Sequence, residues 1–273
     1  MIYVEAHGAR IPALGFGTFR LEGNVARRMV GHALEIGYRH IDTAQMYGNE
    51  AEVGAAMSSS GVTRDEVWLT TKIWPDNFRD GALQRAAETS VRRLGTPPDL
   101  LLLHWPNPSV PLAETVRALN DARRHGLARH IGISNFTVAR IQEALAGSEA
   151  PLIADQVEYQ PYLSQAAVLE ELRANGMALI AYTPLAHGRV FDDPTLARIG
   201  ARHGKNPGQV TLRWLIQQQG VAAIPRSSRE AHAKANFAIF DFALSYAEMA
   251  EIAALASPRG RQIDPAGMAP RWD

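Results

Sequence analysis

The chain has 273 residues, of which 46% are hydrophobic and 21% charged, and 28 Lys plus Arg balance 28 Asp plus Glu for a net charge of zero. With no global field, attraction to nucleic acid or to an anionic membrane has no basis in composition. The absence of cysteine excludes disulfides, thiolate catalysis and cysteine-ligated metal.

The opening MIYVEAHGAR lacks the basic and apolar regions of a signal peptide, and no apolar run approaches a membrane span. An intracellular, cytoplasmic protein is expected. Residues Ile2–Ile11 read as a small hairpin capping one end of the domain. Eight short β-like runs then follow: Leu14–Thr18, Tyr38–Asp42, Val67–Ile73, Leu100–His104, His130–Ser134, Asp155–Tyr159, Leu179–Thr183 and Val221–Pro225. Helical stretches separate them. Asn24–Ile36 has Asn24 as a candidate N-cap and stops at Gly37. Asp80–Leu94 places Leu83, Ala87, Val91 and Leu94 on one face and ends at Gly95. Pro111–His125 and Gln165–Asn175 follow the same scheme. Residues Ser257–Asp273 read as an irregular tail whose Trp272 folds over a pocket mouth.

Strands alternating with helices imply parallel pairing and right-handed crossovers. Eight units in a chain of this length predict a single α/β domain over residues 1–273, a closed (β/α)8 barrel. The alternative is an open doubly wound sheet. Its dinucleotide fingerprint is poor here, because Gly15-Phe-Gly17-Thr-Phe-Arg20 lacks the third glycine.

In a barrel the C-terminal strand ends form the catalytic face. The second run ends in Asp42, with Tyr47 in the following loop. The third carries Lys72, and the fourth ends in His104. Any one of these has a bland reading as a turn, packing, snorkelling or structural residue. Together, on consecutive strands, they describe a proton-transfer site. A phenol has a pKa near 10, and a neighbouring ammonium is expected to lower it. Asp42 would orient Lys72, and His104 would meet a carbonyl oxygen beside the phenol. The chain offers no metal-ligand cluster, no Ser or Cys nucleophile with a base and no carboxylate pair. A proton donor without a nucleophile calls for a second reactant, and a nicotinamide hydride is the natural one.

On GFGTFR, GYRHIDTAQMYGNE, TTKIW, LLLLHWP, IGISNF (131–136), DQVEYQPYL (155–163), AYTPLAHG (181–188) and IPRSS (224–228), the sequence resembles the aldo-keto reductase superfamily over nearly its whole length. The ending GMAPRWD is similar to the branch of bacterial 2,5-diketo-D-gluconate reductases of B type, which also reduce methylglyoxal. The resemblance implies a barrel binding NADPH across its C-terminal rim, a small carbonyl substrate and a monomer, while this chain's own departures at the adenosine end leave NADH as a secondary donor. It makes Tyr47 the proton donor in reduction, Lys72 and Asp42 its tuning groups and His104 the residue orienting the carbonyl. It places Ser134, Asn135 and Gln156 on the nicotinamide carboxamide and Tyr182 under the ring. Thr183, Pro184 and Leu185 fall on the pyrophosphate side, and Gly17, Thr18 and Phe19 border cofactor and substrate. The adenosine end departs from the family pattern: Arg226 stands for its Lys, His232 for its Arg and Ala235 for its Glu, with Asn236 retained. Arg226, Ser227, Ser228 and Arg229 can still form charge-assisted bonds to a 2′-phosphate, and His232 is a pH-dependent partner.

Candidate substrate walls are Phe19, Tyr47, Trp74, His104, Trp105 and Trp272. Short rim loops predict an open site for small aldehydes and keto-sugars. Arg20 and Arg189 are candidate attractants for an anionic substrate, against the plainer reading of solvated rim arginines. Two other classes remain open: a non-catalytic relative serving as a binding or structural protein, and a barrel isomerase or hydrolase. The intact Asp42, Tyr47, Lys72 and His104 set argues against the first. The second lacks the phosphate-binding glycines or carboxylate pairs such chemistry requires.

Overall fold

Strands covered on both faces read as continuous apolar runs, and Leu100–Leu103 is the plainest case, four leucines all fully buried. The computed structural model describes residues 1–273. Two strands come first, β1 (Tyr3–Ala6) and β2 (Ala9–Pro12), paired antiparallel. Then follow β3 (Phe16–Gly17), β4 (His40–Asp42), β5 (Trp68–Ile73), β6 (Leu100–Leu103), β7 (His130–Ser134), β8 (Leu152–Glu158), β9 (Ala178–Tyr182) and β10 (Val221–Ala223). These eight are all parallel, in the order β10-β9-β8-β7-β6-β5-β4-β3.

The sheet closes on itself. Parallel bridges join Leu14 to Ala223 and Gly17 to Arg226, and the Gly15 amide donates to Ala223 O at 2.8 Å. The glycine pair of the first run makes this seam, which is why it fails as a nucleotide fingerprint. A Cβ on Gly15 would lie 2.8 Å from the His40 ring, and one on Gly17 would lie 2.9 Å from Ile224 O. The first run is therefore shorter than the predicted Leu14–Thr18, its remainder being closure rather than regular ladder. The eighth is cut likewise to β10.

The helices are α1 (Gly23–Ile36), α2 (Glu50–Ser59), α3 (Ala82–Leu94), α4 (Leu112–Arg124), α5 (Val138–Gly147), α6 (Ala166–Ala174), α7 (Pro194–His203), α8 (Pro207–Ile216), α9 (Glu230–Phe237) and α10 (Tyr246–Ala253). The stops at Gly37 and Gly95 hold. Both are left-handed, at φ 120° and 74°, and each amide closes the last turn. Asn24 is not a cap: α1 begins one residue earlier, behind Glu22, with no side-chain cap bond. The N-terminal hairpin sits under the N-terminal strand ends, where Pro12 O meets His40 Nδ1 at 3.1 Å and Asn175 O meets His7 Nε2 at 2.9 Å. The opposite rim is left for the polar residues.

Candidate active site

Parallel register brings the polar set together. Asp42 pairs with Thr70, so Lys72 stands two residues further up the neighbouring strand, on the same face. Its Nζ donates to Asp42 Oδ1 at 2.5 Å and to Thr43 O at 2.9 Å, and reaches Tyr47 Oη at 3.4 Å. Tyr47 arrives by a tight turn of 3-10 type, Gln45–Tyr47, that ends on Gly48 at φ 67°. His104 follows β6, its amide donating to Ile73 O at 3.0 Å. Lys72 and Asp42 are both buried, at 1% and 2% side-chain exposure. Ion pairs so enclosed are stable only when every charge has partners. The other Asp42 oxygen accepts from Gln156 Nε2 at 2.7 Å.

Burial pulls the Lys72 ammonium below its ordinary pKa, and Asp42 opposes that fall. The phenol of Tyr47 moves upward, well above 10, first through burial and second through the Asp42 charge. This overturns the expectation that Lys72 draws it down. The ammonium contact is long, and desolvation of the phenolate outweighs it. The His104 imidazole falls well below 6.5 through burial and the Lys72 charge. It is therefore neutral at pH 7. His104 Nδ1 is enclosed and has no hydrogen-bond partner. An enclosed bare acceptor costs less than an enclosed N–H, so the proton belongs on Nε2.

Aromatic rings surround His104. Tyr47 meets it edge-on at 5.7 Å and Trp74 at 5.2 Å, and Phe19 tilts over Tyr47 at 5.0 Å. Trp74, placed by its spacing from Lys72, is thus in the site. The tail does cover this side of the rim. Trp272 packs edge-on to Trp105 at 6.2 Å, donates to Asp264 Oδ1 at 2.8 Å and lies under the Arg261 guanidinium at 3.6 Å. Glu158, fully buried, grips the tail by accepting from the amides of Gln262 and Ile263, both at 2.9 Å. Sequence reasoning missed Glu158 and Arg261: Glu158 acts on a segment about 100 residues away, and Arg261 meets Trp272 inside a tail without periodic structure.

The residues matched to a nicotinamide gather beside this set. Asn135 adopts φ 66°, a costly backbone for a non-glycine residue and one that clusters at functional sites. Its Nδ2 donates to His104 O at 3.0 Å, and its Oδ1 accepts from Tyr182 Oη at 2.7 Å, which fixes the Tyr182 ring. Ser134 Oγ donates to Gln156 O. Gln156 is present, but its amide nitrogen is held by Asp42, leaving Oε1 as its free atom. Thr183, also left-handed at φ 51°, starts a tight turn with Pro184 and Leu185, closed by Ala186 N to Thr183 O.

At the far end, past β10, Arg226, Ser228, Arg229 and His232 are exposed, with Asn236 and Ser227 buried. Ser227 Oγ is occupied by Arg229, bonding its carbonyl at 2.8 Å and its amide at 3.0 Å, so it shapes the turn into α9. Arg20 lies over the Phe19 ring at 5.1 Å. Arg189 lies over the Tyr162 ring at 3.8 Å, and both arginines are exposed. The donor set runs from amides and a flat phenol ring at one end to exposed cations at the other. That chemistry fits a nicotinamide dinucleotide carrying phosphate at its adenosine end. No group of three or more His, Cys, Asp or Glu could hold a metal ion.

The profile of the aldo/keto reductase family matches residues 13–257. Methylglyoxal reductase DkgB of Salmonella typhimurium is 42% identical over 267 residues, covering 96% of this chain and 99% of its own. A crystal structure assigned provisionally as 2,5-diketo-D-gluconic acid reductase B is 52% identical, with a TM-score of 0.98, covering 100% of this chain and 98% of its own. The aldo-keto reductase of Bombyx mori, solved in complex with NADP, is 32% identical with a TM-score of 0.89, covering 96% and 95%.

Proposed function

The chain belongs to the aldo/keto reductase family, and from that premise we propose that it reduces small aldehydes and ketones with NADPH, Tyr47 giving the proton. The observation that carries the reading is the buried Lys72 ammonium, which touches Asp42, the Thr43 carbonyl and the Tyr47 hydroxyl at once. Residues 1–273 act as one domain, read as a monomer. Methylglyoxal and 2,5-diketo-D-gluconate, named in the relatives, are the substrates to try first. The aromatic walls formed by Phe19, Trp74 and Trp105 suit compact carbonyls of that kind.

When bound, the nicotinamide supplies hydride. Asn135 and Ser134, with Gln156 Oε1, are the groups to hold its carboxamide, and Tyr182 is the face against which its ring lies. His104, protonated on Nε2 and neutral, donates to the substrate carbonyl oxygen. The same oxygen takes its proton from the Tyr47 hydroxyl. Lys72 stabilises the phenolate left behind, and Asp42 keeps Lys72 in place. The aromatic wall excludes water, which strengthens each of these contacts. Following nicotinamide absorbance with NADPH and methylglyoxal tests the reading; no oxidation with any of a panel of aldehydes, diketones and keto-sugars would sink it.

The ionisation states set the pH profile. Burial keeps the phenol protonated below its raised pKa, and His104 stays neutral above its lowered one. Neither group changes charge near neutrality. The rate of reduction is therefore expected to stay flat within about twofold from roughly pH 6 to roughly pH 8, the interval that a free imidazole near 6.5 would interrupt. Oxidation of the alcohol needs the phenolate and should rise with pH across the same interval. A break near pH 6.5 in the reduction profile would mean that His104 titrates there.

Cofactor choice rests on Arg226, Ser228, Arg229 and His232. A 2′-phosphate beside exposed arginines gains charge-assisted bonds that NADH cannot make. The expected margin in kcat/KM is about tenfold in favour of NADPH, or ~1.4 kcal/mol. It should shrink with added salt, because these cations are screened. Higher kcat/KM with NADH would reject this assignment.

A further inference from the structure

The loop from Thr18 to Leu21 carries the Phe19 wall, and its one internal backbone bond, Leu21 N to Thr18 O at 3.0 Å, does not satisfy all its carbonyls. Two side chains do so. Asn49 Nδ2 donates to Thr18 O at 2.9 Å and to Leu21 O at 2.8 Å. Arg226 Nε donates to Phe19 O at 3.0 Å, and its Nη2 donates to Arg20 O at 3.1 Å. Four consecutive carbonyls are thus held from outside the loop. Asn49 is buried and anchored to the segment that bears Tyr47, its Oδ1 accepting from Thr43 Oγ1 at 2.7 Å. Arg226 comes from the opposite side, where its backbone bridges Gly17 at the barrel seam.

The loop needs such restraint. Arg20 sits at φ 58°, a conformation a non-glycine residue keeps only when its surroundings impose it. Phe19 is 41% exposed, so packing alone does not fix its ring over Tyr47. An exposed arginine has ample freedom to lie in solvent. Its rigid fork of donors is matched to two adjacent oxygens in a way that the single ammonium of lysine is not. Two of its five N–H groups are used, and three remain for an anion.

We propose that Arg226, together with Asn49, is a positioning residue for the substrate wall, holding residues 18–21 so that Phe19 stands over Tyr47. The kinetic half of the test rests on the carbonyl-reductase reading; the structural half does not. Arg226→Lys keeps the positive charge and loses the fork, and Arg226→Gln loses both. Amide hydrogen exchange of residues 18–23 in the full-length protein should quicken by about tenfold in both variants, with exchange elsewhere unchanged. The KM for an aromatic aldehyde should rise by about tenfold in both, while kcat falls by less than threefold, because the wall binds substrate and does not transfer the proton. The Kd for NADPH, read by tryptophan fluorescence, should weaken clearly only in Arg226→Gln. If Arg226→Lys leaves loop exchange and aldehyde KM as in the wild type, the residue acts on the cofactor alone and the proposal is overturned. A wild-type protein that turns over no carbonyl defeats the reductase reading, and the exchange comparison still decides the clamp.

Discussion

Replacing Tyr47 with Phe is expected to lower kcat for carbonyl reduction by about a thousandfold, within the range by which a positioned proton donor accelerates a reaction. The prediction follows from what the hydroxyl does and does not touch. Its contact is Lys72 Nζ at 3.4 Å, long enough that little folding stability depends on it. Both rings that pack on Tyr47, those of Phe19 and His104, meet its ring and so keep their neighbour in the variant. The melting temperature and the Kd for NADPH should therefore stay close to wild type while turnover collapses. Steady-state kinetics with a fluorescence titration measure both. Turnover within tenfold of wild type would remove Tyr47 from the role of proton donor and leave His104 as the remaining candidate.

Lys72→Met is expected to strike stability as well as activity. Met fills the volume of the lysine stem, but Asp42 is left buried with one oxygen unpartnered. Breaking a buried pair on one side costs about 3–5 kcal/mol, and in a chain of this size each kcal/mol lowers Tm by roughly 2–4 °C. A drop of about 10 °C is the central expectation. Adding Asp42→Asn removes the stranded charge and should restore much of that loss. It should not restore turnover, since nothing then stabilises the Tyr47 phenolate. Recovery of both stability and rate in the double variant would show that Lys72 serves the fold and not the chemistry.

Much of this molecule could be read from one dimension. The eight runs lie where strands form because strands covered on both faces read as short, mostly apolar segments bounded by turn signals, too short for helices. The stops at Gly37 and Gly95 were legible because a left-handed residue closes a helix most easily as glycine. The helix starts were less legible. Asn24 has the right side chain for a cap, yet Glu22 takes the position without using its own. Asp42, Tyr47, Lys72 and His104 were found because strand ends share one face of a barrel, so order along the chain becomes adjacency in space.

Residue types, their order on consecutive strands and hence the available chemistry are already present in the chain's one-dimensional order. The direction in which that chemistry is tuned comes from how the chain packs in three dimensions. The Tyr47 phenol rises where a neighbouring ammonium was expected to lower it, because desolvation depends on everything packed around the group and charge identity alone does not reveal it. The tertiary structure also gave Gly15 and Gly17 to barrel closure, Gln156 to Asp42, Glu158 to the C-terminal tail and Arg226 to the Phe19 loop. Each of those partners lies between 25 and 210 residues away, a separation across which a hydrogen bond leaves no local mark on composition or period.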